Sequence, residues 1–270
     1  MKTIVITGVN SGLGRALAEA ALAAGHRVVG TVRSEAARTA FEALAPGRAE
    51  GHILELTDGA AITAFAAGLG PVDVLVNNAG HGHEGAVEES PLSELRHQME
   101  VNFFGTVALT QALLPSMRAR RQGRILTITS MGGLITMPGI AYYHASKFAL
   151  EGLFESLGKE VASFGINVTC VEPGGFRTDW AGRSMVRSER RIADYDAVMD
   201  PIRAHRRARD GNQVGDPAKA ARAMLAVLDE VDPPAHLVLG TDALALVEEK
   251  LAHLHAEIDR WHELSRSTDA

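Results

Sequence analysis

The stretch TIVITGVNSGLG, residues 3–14, decides the fold class, because it joins a short β-branched run to a glycine-rich turn. An alanine-rich helical pattern over Gly12–Ala24 follows at once. Glycines allow a tight turn and a close approach of the backbone to a phosphate, and the helix N-terminus supplies unpaired N–H groups. Strand, turn and helix in this order indicate a dinucleotide site, although the spacing is G-x-x-x-G-x-G. The alternative is an ordinary βα turn rich in glycine.

The same alternation of strand and helix patterns continues along the 270 residues. Most strand patterns are apolar throughout, which is typical of strands buried on both faces of a parallel sheet. The patterns predict a single α/β domain over 1–270, a Rossmann-like doubly wound parallel sheet with helices on both faces. The predicted strands are Thr3–Thr7, Arg27–Val32, His52–Leu56, Val72–Asn77, Arg124–Thr129, Asn167–Val171 and His236–Leu239. The predicted helices are Gly12–Ala24, Glu35–Leu44, Gly59–Gly68, Pro91–Arg120, Ala141–Phe164, Pro217–Glu230 and Asp242–Leu264.

Composition excludes several other classes of protein. Hydrophobic residues make up 46% and charged residues 22%, which is typical of a globular domain rather than a disordered or collagen-like chain. The single cysteine, Cys170, excludes an intrachain disulfide and favours a reducing compartment. A net charge of −6 argues against nucleic-acid binding, and no window offers the ~20 apolar residues of a membrane span. We therefore expect a soluble, cytoplasmic protein.

Arg33, directly after the second predicted strand, favours NADP over NAD. Folds that bind NAD often place a carboxylate here for the ribose hydroxyls, and this sequence has none. A guanidinium offers a planar fork for a phosphate such as the 2′-phosphate of NADP. The alternative is a solvated surface arginine. The expected cofactor is NADP, with NAD as the alternative.

Tyr143 and Lys147 are four residues apart in one predicted helix and therefore share a face. A nearby ammonium lowers the pKa of a phenol, and such a phenol donates a proton to a developing alkoxide or accepts one in reverse. Tyr142 is the weaker candidate, because Ser146 rather than a lysine is at its i+4 position. Ser130, just past a predicted strand, adds a third polar group where open α/β sheets place their ligands.

These ordered motifs, together with Asn77–Gly80, Asn102 and Pro173–Thr178, make the chain similar to the short-chain dehydrogenase/reductase family, in its compact single-domain branch, over nearly the whole length. The resemblance implies that Tyr143 is the general acid/base and that Ser130 holds the substrate oxygen. It also implies that Lys147 binds the nicotinamide ribose and lowers the tyrosine pKa, and that Asn102 holds a relay water. The implied catalytic residues are Asn102, Ser130, Tyr143 and Lys147. The residues expected to bind the cofactor are Gly8, Asn10, Ser11, Gly12, Leu13, Gly14, Arg33, Glu55, Leu56, Asn78, Ala79, Gly80, Tyr143, Lys147, Pro173, Gly174, Phe176 and Thr178.

Two positions depart from the family pattern. Glu55, followed by Leu56, stands where the family usually has an aspartate near the adenine. The glycine turn carries Asn10 and Ser11 and lacks an extra basic residue, so the NADP prediction depends mostly on Arg33.

The irregular segment Gly174–Asp216 is expected to be a substrate-binding lid, because a long loop within an α/β domain is usually functional. It carries apolar residues, which favour an apolar substrate, and many arginines, which suit either a solvated lid or an anionic ligand. The histidines lack a metal-binding spacing, so no metal is expected, and His81 and His83 are candidates for the substrate cleft. The resemblance also implies a homodimer or homotetramer formed through the long helices.

The sequence thus predicts an enzyme that moves hydride between NADP(H) and a small-molecule carbonyl or secondary alcohol. One alternative is a non-catalytic NADP-binding sensor or scaffold. The other is a sugar-nucleotide epimerase or dehydratase, which shares the tyrosine and lysine pair.

Overall fold

The computed structural model describes residues 1–180, 182 and 184–270. Its helices and strands alternate along the chain as the sequence predicts. The strands are β1 Thr3–Ile6, β2 Arg27–Val32, β3 Ala49–Ile53, β4 Val74–Asn77, β5 Gly82–Glu84, β6 Gly123–Ile128, β7 Ile166–Pro173, β8 Met185–Arg187 and β9 His236–Leu239. The helices are α1 Gly12–Ala23, α2 Glu35–Glu42, α3 Gly59–Gly68, α4 Leu92–Met99, α5 Gly105–Arg120, α6 Ala141–Val161, α7 Asp196–Arg209, α8 Pro217–Asp229 and α9 Thr241–Arg266.

Within the described residues, seven strands form one parallel sheet in the order β3-β2-β1-β4-β6-β7-β9. The order reverses between β1 and β4, and the carboxyl ends of these strands therefore border a crevice. This arrangement confirms the predicted doubly wound α/β fold.

Both faces of the sheet are buried, which explains why the strand patterns are apolar throughout. In β1, Ile4 and Ile6 enter one hydrophobic core, and Val5 enters the other. Helices α1, α2 and α8 contribute to the first core, and helices α3, α5 and α6 contribute to the second.

Several elements begin or end one to three residues from the predicted positions, and two of the differences have a clear structural cause. The third strand is Ala49–Ile53 rather than His52–Leu56, because Leu54 and Leu56 are buried beyond the strand end and not within the sheet. The predicted helix Pro91–Arg120 is divided into α4 and α5 by a π-helical turn over Glu100–Phe104. Such turns often occur at functional sites, and this one carries Asn102.

The segment Gly174–Asp216 contains β8, which pairs in parallel with β5, and the 14-residue helix α7. Two of its residues, Ala181 and Arg183, lie outside the described residues. Buried Arg203 fixes α7 by an ion pair with buried Glu89 at 2.5 Å. Arg206 approaches Glu84 of β5 at 3.5 Å. These two arginines therefore hold α7 against the β5 region rather than projecting into solvent.

No helix in the described part of the chain is long and apolar enough to cross a lipid bilayer.

Candidate active site

A cavity of about 1090 Å³ opens at the carboxyl ends of the parallel strands. Typical small-molecule and cofactor sites occupy roughly 300–1,000 Å³, so this cavity is slightly larger than that range. Its wall runs from the glycine turn, past the ends of β2 and β4, to the start of α6 and the segment Gly174–Asp216. The fold therefore places the motifs identified in the sequence around one space.

The glycine turn at one end of this cavity depends on its glycines for two different reasons. Gly8 and Gly12 have φ values of +75° and +60°, where side chains are strained. Gly14 is required for packing, because a Cβ atom there would lie 2.3 Å from both the Asn78 amide nitrogen and the Gly8 carbonyl oxygen. Asn78 Nδ2 donates to the carbonyl oxygens of Thr7 and Gly8 at 2.8 and 3.1 Å, and so joins the end of β4 to the turn.

Most of the residues expected to bind a cofactor line this cavity. Gly14 is the exception, since it lies beneath the turn against Asn78 and is absent from the cavity wall formed by the described residues. The residues on the wall are Gly8, Asn10, Ser11, Gly12, Leu13, Arg33, Glu55, Leu56, Asn78, Ala79, Gly80, Tyr143, Lys147, Pro173, Gly174, Phe176 and Thr178.

Ser130, Tyr143 and Lys147 converge on the same wall. The three side chains are largely buried, with exposures of 8%, 8% and 6%. Lys147 Nζ donates to the carbonyl oxygen of Ile128 at 2.8 Å and is 5.7 Å from the centroid of the Tyr143 ring. The Ser130 hydroxyl lies near the Tyr143 hydroxyl and accepts from the backbone N–H of Gly132 at 2.9 Å. The three polar groups thus line one part of the cavity.

Burial is the main influence on the pKa values of Tyr143 and Lys147. It raises the pKa of Tyr143 to about 12, against the smaller lowering effect of the hydrogen bond with Ser130. It lowers the pKa of Lys147 to about 8, and nearby Glu151 opposes that shift. The sequence-based expectation that Lys147 lowers the tyrosine pKa is therefore outweighed here by desolvation of the phenol. The phenol therefore stays protonated near neutral pH, and the protonated phenol is the form that donates a proton.

Asn102 is buried behind the cavity rather than on its wall. Its Oδ1 accepts from the backbone N–H of His81 at 3.0 Å. Its Nδ2 donates to the His81 carbonyl oxygen at 3.0 Å and to Ser146 Oγ at 3.1 Å. These contacts position the His81 backbone and join it to α6 through Ser146.

Other residues near the cavity are not among the catalytic and cofactor-binding residues expected from the sequence. The Trp180 ring lies 4.9 Å from the Tyr143 ring, centroid to centroid, and is tilted at 58° to it. His81 lines the cavity, and its ring is tilted at 38° to the His97 ring, with the centroids 5.1 Å apart. Burial, followed by the charge of His97, lowers the His81 pKa to about 4. His83, the other candidate for the cleft, is buried against the Tyr142 ring. The apolar content of the segment signals Trp180, but no sequence pattern signals His97.

A second polar cluster lies behind Lys147 and consists of Glu151, Glu172 and His236. His236 Nδ1 is 2.8 Å from Glu172 Oε1 and 3.6 Å from Glu151 Oε2. Burial, reinforced by the nearby charge of Glu151, raises the pKa of Glu172 to about 7. No sequence pattern predicts this cluster, because its members come from three separate elements, α6, β7 and β9.

We expect Glu172→Gln to stabilise the protein at about pH 8 and to have little effect at about pH 5. A carboxyl group with a raised native pKa binds more protons when folded, so stability falls as pH rises from about 4.5 to 7. The substitution removes an ionisation cost on the order of 3 kcal/mol, while Gln Oε1 keeps an acceptor for His236. Urea unfolding at both pH values measures the difference. Glu155→Gln, an exposed neighbour of His236, is the control and should show no pH-dependent gain. An equal effect of Glu172→Gln at both pH values contradicts the prediction.

Comparison with known proteins places this site in a family. The short chain dehydrogenase family model matches residues 2–187. Oxidoreductase BOA17 of Botryotinia fuckeliana is 37% identical over 265 residues, covering 96% of each chain. An NADPH-dependent 3-dehydrocapnine reductase of Ornithobacterium rhinotracheale is 36% identical and covers 68% of this chain and 69% of its own. The crystal structure of a short-chain dehydrogenase from Streptomyces avermitilis superimposes with a TM-score of 0.93 at 43% identity over both full chains.

The fold and site define an oxidoreductase that acts on CH–OH or C=O groups with a nicotinamide cofactor. The chain belongs to the short-chain dehydrogenase/reductase family.

Proposed function

We propose that this enzyme uses NADP(H) and transfers hydride between the nicotinamide and an apolar carbonyl or secondary-alcohol substrate, with Tyr143 as the general acid/base. The observation that carries the proposal is the convergence of Ser130, Tyr143 and Lys147 on the wall of a cavity that begins at the glycine turn. A sensor or scaffold does not need this set of proton-transfer groups.

The cavity residues fit a dinucleotide. Gly8 and Gly12 line the cavity without side chains and have positive φ values, which supports a turn built for close approach to a phosphate. Glu55 lies on the wall where it can accept a hydrogen bond from the adenine amine. When bound, the nicotinamide supplies or accepts the hydride.

Arg33 supports NADP as the preferred form of the cofactor. It is exposed, lies on the cavity wall, and has no salt-bridge partner among the described residues. A fixed cation without a carboxylate partner is suited to a phosphate. The NADPH dependence of the Ornithobacterium relative is in agreement.

The proton path begins at the Tyr143 hydroxyl. The phenol is protonated near neutral pH, so in the direction of reduction it donates to the alkoxide oxygen as that charge develops. Ser130 donates a hydrogen bond to the same oxygen. The Lys147 ammonium favours the phenolate that remains after transfer, and it holds the ribose hydroxyls of the cofactor.

The segment Gly174–Asp216 acts in this proposal as the substrate-binding lid of a single domain. The Trp180 ring lies against the Tyr143 ring, and the wall on this side carries the apolar side chains of Met131, Met137, Val186 and Ile202. These contacts favour substrates whose carbonyl group is attached to an apolar body.

A panel of ketones and aldehydes, with absorbance of the nicotinamide as the readout, tests the function. We expect stoichiometric NADPH oxidation, with the highest kcat/KM for carbonyl compounds that carry large apolar groups. Tight NADPH binding with no turnover in either direction would identify a sensor instead. Product formation without net cofactor change, on a sugar-nucleotide substrate, would identify an epimerase.

A further inference from the structure

The C-terminal helix α9 contacts the domain only at its beginning. Ala243 and Val247 are buried, whereas every residue over 248–270 is exposed. The helix has 26 residues, so at 1.5 Å per residue its free part extends for about 27 Å. Most helices in proteins owe their stability to packing of an apolar face. A helix that projects in this way needs a partner for that face.

Most of the exposed apolar side chains of α9, together with buried Val247, follow a heptad pattern, and exposed Leu264 lies outside it. The residues of this pattern recur at alternating intervals of three and four residues, which places them at the a and d positions of a coiled coil. Leu251 is 60% exposed, Ile258 55% and Trp261 52%, so the seam is open to solvent. The exposed residues of this seam are Leu244, Leu251, Leu254, Ile258 and Trp261, while Val247 occupies the remaining heptad position and is buried against the domain.

We propose that α9 of one copy pairs with α9 of a second copy as an antiparallel two-stranded coiled coil. A two-fold axis midway between Leu251 and Leu254 places Leu251 of each helix opposite Leu254 of the other. The same register sets Leu244 opposite Trp261, and Ile258 extends the exposed seam between Leu254 and Trp261. The seam is therefore complementary to itself, and a symmetric dimer requires such a self-complementary surface.

The charges beside the seam select this orientation. In the antiparallel register, Lys250 of one helix faces Glu257 of the other, and Glu248 faces His255, and symmetry repeats each pair. A parallel pair sets Lys250 opposite His255, which offers no carboxylate to the ammonium. Shifting the antiparallel register by one heptad sets Glu257 of one helix opposite Glu257 of the other, and the two carboxylates repel each other.

A second copy of the chain fits this face better than a membrane surface does. Helices that lie on membranes carry Lys and Arg on the polar face. The polar face of α9 carries more carboxylates than cations, and its apolar stripe is as narrow as a coiled-coil seam. Its acidic residues are Asp242, Glu248, Glu249, Glu257, Asp259 and Glu263, against Lys250, Arg260 and Arg266.

Light scattering on the full chain after size exclusion tests the pairing. We expect Leu254→Glu with Ile258→Glu to lower the assembly mass twofold, whether the starting state is a dimer or a tetramer. Ala256→Glu, on the opposite side of α9, is the matched control and should leave the mass unchanged. Circular dichroism verifies that each variant is folded. A wild-type monomer at micromolar concentration, or an unchanged mass in the double variant, overturns the proposal.

A charge exchange tests the orientation. Lys250→Glu alone should shift the assembly toward the lower mass, because it sets two carboxylates together. Adding Glu257→Lys should restore the wild-type mass. Strengthened assembly with Lys250→Glu alone indicates a parallel pair and overturns the antiparallel arrangement. Co-sedimentation of the wild type with phosphatidylcholine vesicles, lost in Leu254→Glu with Ile258→Glu, indicates a membrane surface and also overturns the proposal.

Discussion

Tyr143→Phe is expected to lower kcat by roughly 10²- to 10⁴-fold while the affinity for NADPH stays within a few-fold of wild type. The substitution removes only the phenolic oxygen, which is the proton donor in the proposed reaction. The ring stays against Trp180, 4.9 Å away, so the cavity wall keeps its shape. Steady-state turnover with the best carbonyl substrate gives kcat, and quenching of tryptophan fluorescence on titration with NADPH gives the affinity.

Tyr142→Phe is the matched control for this experiment, because it deletes the same atom one residue away. The Tyr142 hydroxyl donates to the Ser90 carbonyl oxygen at 2.8 Å and does not line the cavity formed by the described residues. We expect turnover within a few-fold of wild type in this variant, with some loss of thermal stability. Wild-type turnover in Tyr143→Phe, or an equal loss in both variants, contradicts the role of Tyr143.

The fold was predictable where the signal is local. A β-branched run, a glycine turn and a helix follow one another within residues 3–24, and each following unit repeats the pattern. The error at the third strand has a physical cause: Leu54 and Leu56 are buried at the cavity, so their apolar character does not report sheet pairing. The π-helical turn at Asn102 was not predictable, because its side-chain contacts to His81 and Ser146 are tertiary.

The candidate site was predictable to a similar degree. Tyr143 and Lys147 share a helix face by spacing alone, and the ends of parallel strands meet at one edge of the sheet. The protonation state of the site was not predictable, because it depends on how far packing excludes water from the phenol. The same limit applies to Arg203, whose ion pair with Glu89 joins residues far apart in sequence and replaces the expected solvation.

Arg33 offers a test of cofactor choice that leaves the proton-transfer groups untouched. A charge-assisted hydrogen bond is worth roughly 1.5–3 kcal/mol, which corresponds to about 10- to 100-fold in kcat/KM. We therefore expect Arg33→Ala to lower kcat/KM for NADPH by about that factor and to leave the value for NADH almost unchanged. Arg33→Asp should go further and invert the preference, because a carboxylate repels the 2′-phosphate of NADPH and accepts hydrogen bonds from the ribose hydroxyls of NADH.

The matched control for this charge is Arg38→Ala. Arg38 lies on α2, forms an ion pair with Glu35 and does not contribute to the cavity wall among the described residues. Removing it changes the net charge by the same amount, so a general electrostatic effect on an anionic cofactor would appear in both variants. We expect the ratio of kcat/KM for NADPH to that for NADH to fall with Arg33→Ala and to hold with Arg38→Ala. The difference between the variants should shrink as salt is added, because Arg33 is exposed and its attraction to a phosphate is screened. An unchanged ratio in Arg33→Asp means that another residue selects the cofactor, and it removes the main support for NADP.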